Sequence, residues 1–158
     1  MFTVELELYV LRNGGTLWTT PEHDGAVAAL PPGASEMPKS VTGREALQWV
    51  RAFRTRLPRA SRVQRAMEER HPTEPHFYVR TIGVRTAMQG QGLGSVLMRP
   101  TLERADSAGV PTYLEASTER SAALYARLGF RHMGGFELPD GGPPVWPMLR
   151  PVPGGSGG

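Results

Sequence analysis

Three side chains and one loop in this sequence have the types and spacing for group-transfer chemistry. Tyr125 sits in Leu124-Tyr125-Ala126-Arg127-Leu128-Gly129-Phe130 and can give up a proton. Glu115 is a carboxylate at the end of the apolar run Thr112 to Ala116, and it can accept a proton or hold an ammonium. His76 opens another apolar run, and an imidazole can take up or release a proton. The loop Gln89-Gly90-Gln91-Gly92-Leu93-Gly94-Ser95 alternates three glycines just before a helical pattern. Glycine lets backbone amides approach a ligand with no Cβ in the way. A helix amino terminus adds unpaired N–H groups and a positive dipole end, so a pyrophosphate fits such a loop. The spacing is that of neither the dinucleotide fingerprint nor a P-loop. Each residue also has a plainer reading: a mobile turn for the loop, packing for Tyr125, a buried hydrogen bond for Glu115, a surface histidine for His76.

The elements that must position these groups can be read from periodicity. His76 to Val84 reads as a strand, Gly92 to Ala108 as a helix ended by Gly109, and Thr112 to Ala116 as a second strand, which makes a βαβ unit. A short helix follows from about Arg120 to Leu128, with Gly129 as its left-handed cap. Phe130 to Leu138 and Pro143 to Leu149 read as two final strands around a turn at Asp140, Gly141 and Gly142. Upstream, Thr16 to Thr19 and Gly25 to Leu30 are expected as short strands, and about 43 to 57 and 60 to 70 as helices. The prolines at 31, 32 and 38 make a loop before them, and His71, Pro72 and Pro75 end the second helix. The first dozen residues alternate like a strand at Phe2, Val4, Leu6, Leu8 and Val10, although Phe2, Leu6, Tyr9 and Val10 also line one helical face.

A chain of 158 residues, 39% apolar and 21% charged, suits one domain over residues 1–150. The Pro/Gly/Ser stretch from Pro151 to Gly158 reads as a flexible tail. With no cysteine, disulfides, thiolate metal sites and a thiol nucleophile are excluded, and the four scattered histidines give no reason to expect a metal. No basic segment followed by an apolar one opens the chain and no apolar run approaches membrane-spanning length, so the expectation is a cytoplasmic protein with no membrane partner. The net charge of +3 comes almost wholly from arginine, crowded between Arg51 and Arg70. Glu45 stands just before that run, Glu68 and Glu69 interrupt it, and no stacking aromatics accompany it, so it reads as solvated helix faces rather than a nucleic-acid surface.

The glycine loop and the Tyr125 segment, in this order, resemble two motifs of the GCN5-related N-acetyltransferase (GNAT) family. Further segments from about Val4 to Pro151, among them Thr81-Ile82-Gly83-Val84, Ala108-Gly109-Val110-Pro111 and Tyr113-Leu114-Glu115-Ala116-Ser117, are similar to the branch of that family that acetylates the aminonucleoside puromycin. The resemblance implies an α/β (α+β) GNAT-type fold, a mixed central sheet with helices on both faces, and acetyl-CoA as donor to the primary amine of a small molecule. It implies that Gln89, Gly90, Gln91, Gly92, Leu93, Gly94 and Ser95 hold the pyrophosphate, and that the backbone of Ile82, Gly83 and Val84 pairs with the pantetheine arm. Tyr125 would protonate the leaving thiolate, with Glu115 or His76 as base. Where the family often has asparagine, this chain has Ser121, which offers one hydrogen bond on the cofactor side.

The resemblance also implies that Val4 to Arg12 is the end of a second helix, so that the family's first strand and helix are missing. Either the sequence starts at the wrong place, or a partner subunit such as a second copy covers the exposed sheet edge, or the chain is a natural short variant. Two rival functions are a protein or peptide N-acetyltransferase and a non-catalytic acyl-CoA-binding module.

Overall fold

The computed structural model describes residues 10–34, 43 and 57–154. The expected helix over 43 to 57 and nearly all of the expectation for the first dozen residues lie outside the described residues. Val10 is buried, and a single helical turn, Leu11–Asn13, leads into the sheet.

Seven strands form one mixed sheet: β1 (Thr16–Thr19), β2 (Gly25–Leu30), β3 (Phe77–Val84), β4 (Thr112–Ala116), β5 (Arg131–His132), β6 (Phe136–Glu137) and β7 (Pro144–Arg150). Their order is β1-β2-β3-β4-β7-β5, with β6 also on β7. Among the described residues only β3 and β4 run parallel, joined by α2 (Leu93–Ala108). Two further helices among the described residues are α1 (Leu57–Glu68) and α3 (Glu119–Arg127). Among the described residues no helix is long and apolar enough to cross a membrane.

The order and type of these elements match the expectation from periodicity, with one correction. The strand expected over Phe130 to Leu138 is two short strands with a break between them. Gly134 adopts φ +106 there, and a Cβ on Gly135 would come within 3.2 Å of the Trp146 ring. Two adjacent glycines thus turn the chain out of the ladder before it rejoins β7.

The main core lies on one face of the sheet. Val27, Val79, Leu114, Ala116 and Met148 from the strands meet Leu97, Met98 and Leu102 of α2 and Ala122 and Tyr125 of α3. A second cluster of Leu30, Tyr78 and Tyr113 occupies the opposite face. Glu68, at the end of α1, lines a pocket on that side with Leu30 and Tyr78, so helices reach both faces.

Two features of β3 shape the sheet. Thr81 pairs with Ala28 and Val79 with Ala29, which leaves Arg80 as an extra residue, a β-bulge. Strand residues alternate between faces, so the extra residue puts Ile82 and Val84 on the same face as Val79, against the main core. The parallel pairing of β3 with β4 also stops early, at Phe77 with Thr112 and Tyr78 with Tyr113, although β3 runs on to Val84. Past Tyr78 the two strands part, and the β4-facing edge of β3 has no strand partner among the described residues.

Candidate functional site

Where β3 and β4 part, a cleft of about 630 Å³ opens on the side of α2 and α3. Ile82, Gly83 and Val84 form one wall, the glycine loop and the first turn of α2 another, and Ser117 to Arg127 the third. Of the residues singled out in sequence, Ile82, Gly83, Val84, Gln89, Gly90, Gly92, Leu93, Gly94, Ser95, Ser121 and Tyr125 all line it. Gln91 does not, since its side-chain amide turns back to the Ala87 carbonyl at 3.4 Å.

The loop owes its path to its glycines. Gly90 and Gly92 both adopt φ +83, a left-handed conformation that costs a residue with a Cβ about 1–2 kcal/mol. Gln89 anchors the loop to β3 by donating from Nε2 to the Val84 carbonyl at 3.1 Å. Gly94 permits close packing of the two helices, because a Cβ there would stand 2.8 Å from Leu124 Cδ2.

The two helices that open onto the cleft begin differently. α3 is capped by its own residues. Thr118 Oγ1 accepts from the Ser121 N–H at 3.1 Å, Ser121 Oγ accepts from the Thr118 N–H at 3.2 Å, and Glu119 supplies negative charge in the first turn. α2 has Gly92 at its cap position, no side-chain cap and no acidic residue in its first turn. Its first amides therefore need an acceptor that the helix does not supply, and they face a cleft lined by Arg120 and Arg127 and, among the described residues, by no carboxylate. This is the electrostatic environment of a polyanion site.

Both arginines escaped sequence reasoning. Arg120 reaches over the loop, with Nη2 3.9 Å from the position of a Cβ on Gly90. The available signal was its place in the first turn of the helix that follows Thr118, a cap residue.

Tyr125 stands at the inner side of the cleft, 5% exposed, with its ring 5.9 Å from that of Phe130. Burial removes water from the phenolate and pushes its pKa up to about 12. The phenol therefore keeps its proton throughout the neutral range.

Glu115 and His76 are not beside Tyr125. Leu114 and Ala116 point into the main core, so Glu115 between them faces the opposite side of the sheet. There its Oε2 accepts from the Tyr78 hydroxyl at 2.9 Å, and its Oε1 lies 3.8 Å from His71 Nδ1. His76 is joined to His71 at 2.8 Å between their Nε2 atoms. The structure thus brings both candidate bases into one cluster and adds His71, a residue that sequence reasoning used only as the end of a helix.

Residues 59–130 match the family model described as Acetyltransferase (GNAT) family. Over 65 residues the chain is 45% identical to the N-alpha-acetyltransferase RimI of Mycobacterium tuberculosis. That match spans 39% of this chain and about 40% of the length of that relative. Among solved structures, a histone acetyltransferase HPA2 and related acetyltransferase from Corynebacterium glutamicum aligns at TM-score 0.63 and 24% identity, over 96% of this chain and 71% of its own. The polyamine N acetyltransferase of Drosophila melanogaster aligns at TM-score 0.55 and 18% identity, over 81% and 69%. At these identities the two structures show a shared fold.

Proposed function

We propose, from the match of residues 59–130 to the acetyltransferase (GNAT) family model, that the chain moves an acetyl group from acetyl-CoA to the primary amine of a small molecule. The observation that supports this most is the cleft, where an uncapped helix start and two arginines meet a strand edge left open by the parting of β3 from β4.

In this reading the first amides of α2, with Arg120, hold the pyrophosphate, and Ile82, Gly83 and Val84 receive the pantetheine arm along the open edge as an added strand would be received. Ser121 contributes less than an asparagine, since its hydroxyl is already engaged with Thr118. The parting of the strands gives the reaction two sides. Tyr125 lies on the cleft side and donates its proton to the departing thiolate. Glu115 lies on the other side and takes the proton of the incoming ammonium. A backbone N–H near Val84 stabilises the oxyanion of the tetrahedral intermediate. A phenol with its pKa at about 12 suits the acid role, because the same dry surroundings also raise the basicity of the thiolate that it must protonate.

Small aminonucleosides such as puromycin are the first candidates for the amine, on the sequence resemblance. A peptide amino terminus is the second reading, favoured by the 65-residue similarity to an N-alpha-acetyltransferase. Calorimetric titration with acetyl-CoA tests the cofactor half, with dissociation expected near micromolar, about 8 kcal/mol of binding free energy. Turnover should then be compared between puromycin and a short peptide with a free amino terminus. No binding at millimolar acetyl-CoA would overturn the proposal.

A further inference from the structure

Glu115 is only 7% exposed. A carboxyl so buried can take a proton from an ammonium once, and it must then return it to water before the next turnover. On the face opposite the cleft the structure holds a row of groups that can do this. Among the described residues Glu115 Oε1 makes no hydrogen bond, and it lies 3.8 Å from His71 Nδ1. His71 Nε2 lies 2.8 Å from His76 Nε2, and His76 Nδ1 lies 2.7 Å from the Glu74 carbonyl. Tyr78 and Tyr113 stand edge-on to the His71 ring, with centroids at 4.9 and 4.6 Å, and fix its orientation.

The protons of this row follow from the acceptors. A carbonyl only accepts, so His76 carries its hydrogen on Nδ1 and turns the lone pair of Nε2 to His71. His71 then donates from Nε2, which leaves Nδ1 as its basic nitrogen, the one that faces Glu115. The 3.8 Å gap is closed by one water or a small rotation of the ring.

We propose that His71 and His76 form a relay that carries the amine's proton from Glu115 to solvent. This rests on the reading of Glu115 as the base. Glu115 takes the proton of the ammonium, which frees the amine lone pair for attack. The resulting carboxylic acid gives the proton to His71 Nδ1, restoring the carboxylate and forming an imidazolium. His71 releases its Nε2 proton to His76 Nε2, and His76 releases its Nδ1 proton to water in the pocket of about 450 Å³ that both rings line; exchange of the ring protons with that water then restores the starting tautomers. One proton enters from the ammonium and one leaves to bulk water. Among the described residues, the titratable groups around His71 are Glu115 and Tyr113 on β4, Tyr78 on β3, Glu68 at the end of α1, and Glu74 and His76 in the segment between. The carboxylates among them favour a passing positive charge.

Two measurements on the full chain test the relay. The first needs no amine: nitrogen-15 NMR of the histidine rings in the native chain and in Glu115→Gln. More imidazolium on His71 at neutral pH in the native chain supports the relay. Identical His71 signals in the two chains overturn it, whether or not the chain transfers acetyl groups. The second is turnover with acetyl-CoA and puromycin. His71→Gln should lower kcat about 10-fold or more at unchanged acetyl-CoA affinity and Tm, and added imidazole should restore part of the rate to His71→Gly. Native kcat in His71→Gln, or a loss that imidazole leaves untouched, assigns His71 a structural role and overturns the relay. If the native chain acetylates neither puromycin nor the peptide, the proposed function fails by itself, and the NMR comparison alone decides how Glu115 and His71 share a proton.

Discussion

Tyr125 and Glu115 differ in what burial does for them. Glu115 is buried with Oε2 bonded to the Tyr78 hydroxyl and Oε1 3.8 Å from the His71 ring. Tyr125 is buried against Phe130 with no hydrogen bond to its hydroxyl among the described residues, and its pKa rises to about 12 through desolvation alone. Two consequences can be measured. Under the proposed function, Tyr125→Phe keeps the packing and removes the proton, so kcat should fall about 100-fold while acetyl-CoA affinity in calorimetry stays within a factor of two or so. The second concerns stability. The folded pKa lies above the ordinary value of 10, so from pH 10 to 12 the unfolded chain has lost a proton that the native chain keeps. Stability from this group is complete below pH 10 and falls as pH rises towards 12. Urea unfolding at pH 9 and pH 11 should show roughly 1 kcal/mol less alkaline loss in Tyr125→Phe than in the native chain.

At the scale of elements, the cleft is made by the different starts of α2 and α3, and this contrast yields a prediction. In Gly92→Ala a methyl is forced into the left-handed region, and it meets no atom of the described residues within 4 Å at the cleft wall. The fold should lose about 1–2 kcal/mol by chemical denaturation, while acetyl-CoA affinity should fall at least 10-fold, since the methyl stands where the amides of α2 must be approached. Much of this was legible in the chain. The alternating glycines, the βαβ pattern and the cap at Gly129 are local signals, and β1, β2 and β4 fall on the expected residues. What was not legible depends on partners distant in sequence. Arg80 becomes a bulge only through the pairing of β3 with β2, and the parting of β3 from β4 has no local residue signal. The helix expected to run through Pro100 to Ala108 does so, because Leu97, Met98, Thr101, Leu102 and Ala105 are buried and outweigh one missing N–H. His71 looked like a helix terminator because its partners, Glu115 and His76, meet it only in the folded sheet.

At the scale of the whole molecule, α2 and α3 are tied together at the ends far from the cleft. Arg150 on β7 forms two parallel hydrogen bonds with Asp106 in the last turn of α2, Nη2 to Oδ2 at 2.9 Å and Nη1 to Oδ1. Its Nε donates to the Leu128 carbonyl at the end of α3 at 3.0 Å. One guanidinium thus joins the strand beside β4 to the carboxyl-terminal ends of both helices whose amino-terminal ends form the cleft. Arg150 is 15% exposed and Asp106 34%, so the pair is worth more than a surface ion pair and less than a fully buried one. Arg150→Met should cost about 2–3 kcal/mol in urea unfolding, which is most of what one-sided removal from a buried pair costs, reduced for solvent at Asp106. Arg150→Lys should recover little of it, because an ammonium cannot present a planar fork to the carboxylate and a third donor to Leu128. A cycle with Asp106→Asn separates the ion pair from the Leu128 bond. Coupling of about 1–2 kcal/mol is expected between positions 106 and 150, with the remainder of the Arg150→Met loss left in the Asp106→Asn background. Because the clamp acts on helix ends remote from the glycine loop, acetyl-CoA affinity should fall less than 10-fold in Arg150→Met, a pattern opposite to that of Gly92→Ala. Equal losses of affinity in the two variants would show that the helix angle, rather than the open start of α2, decides how the cleft binds.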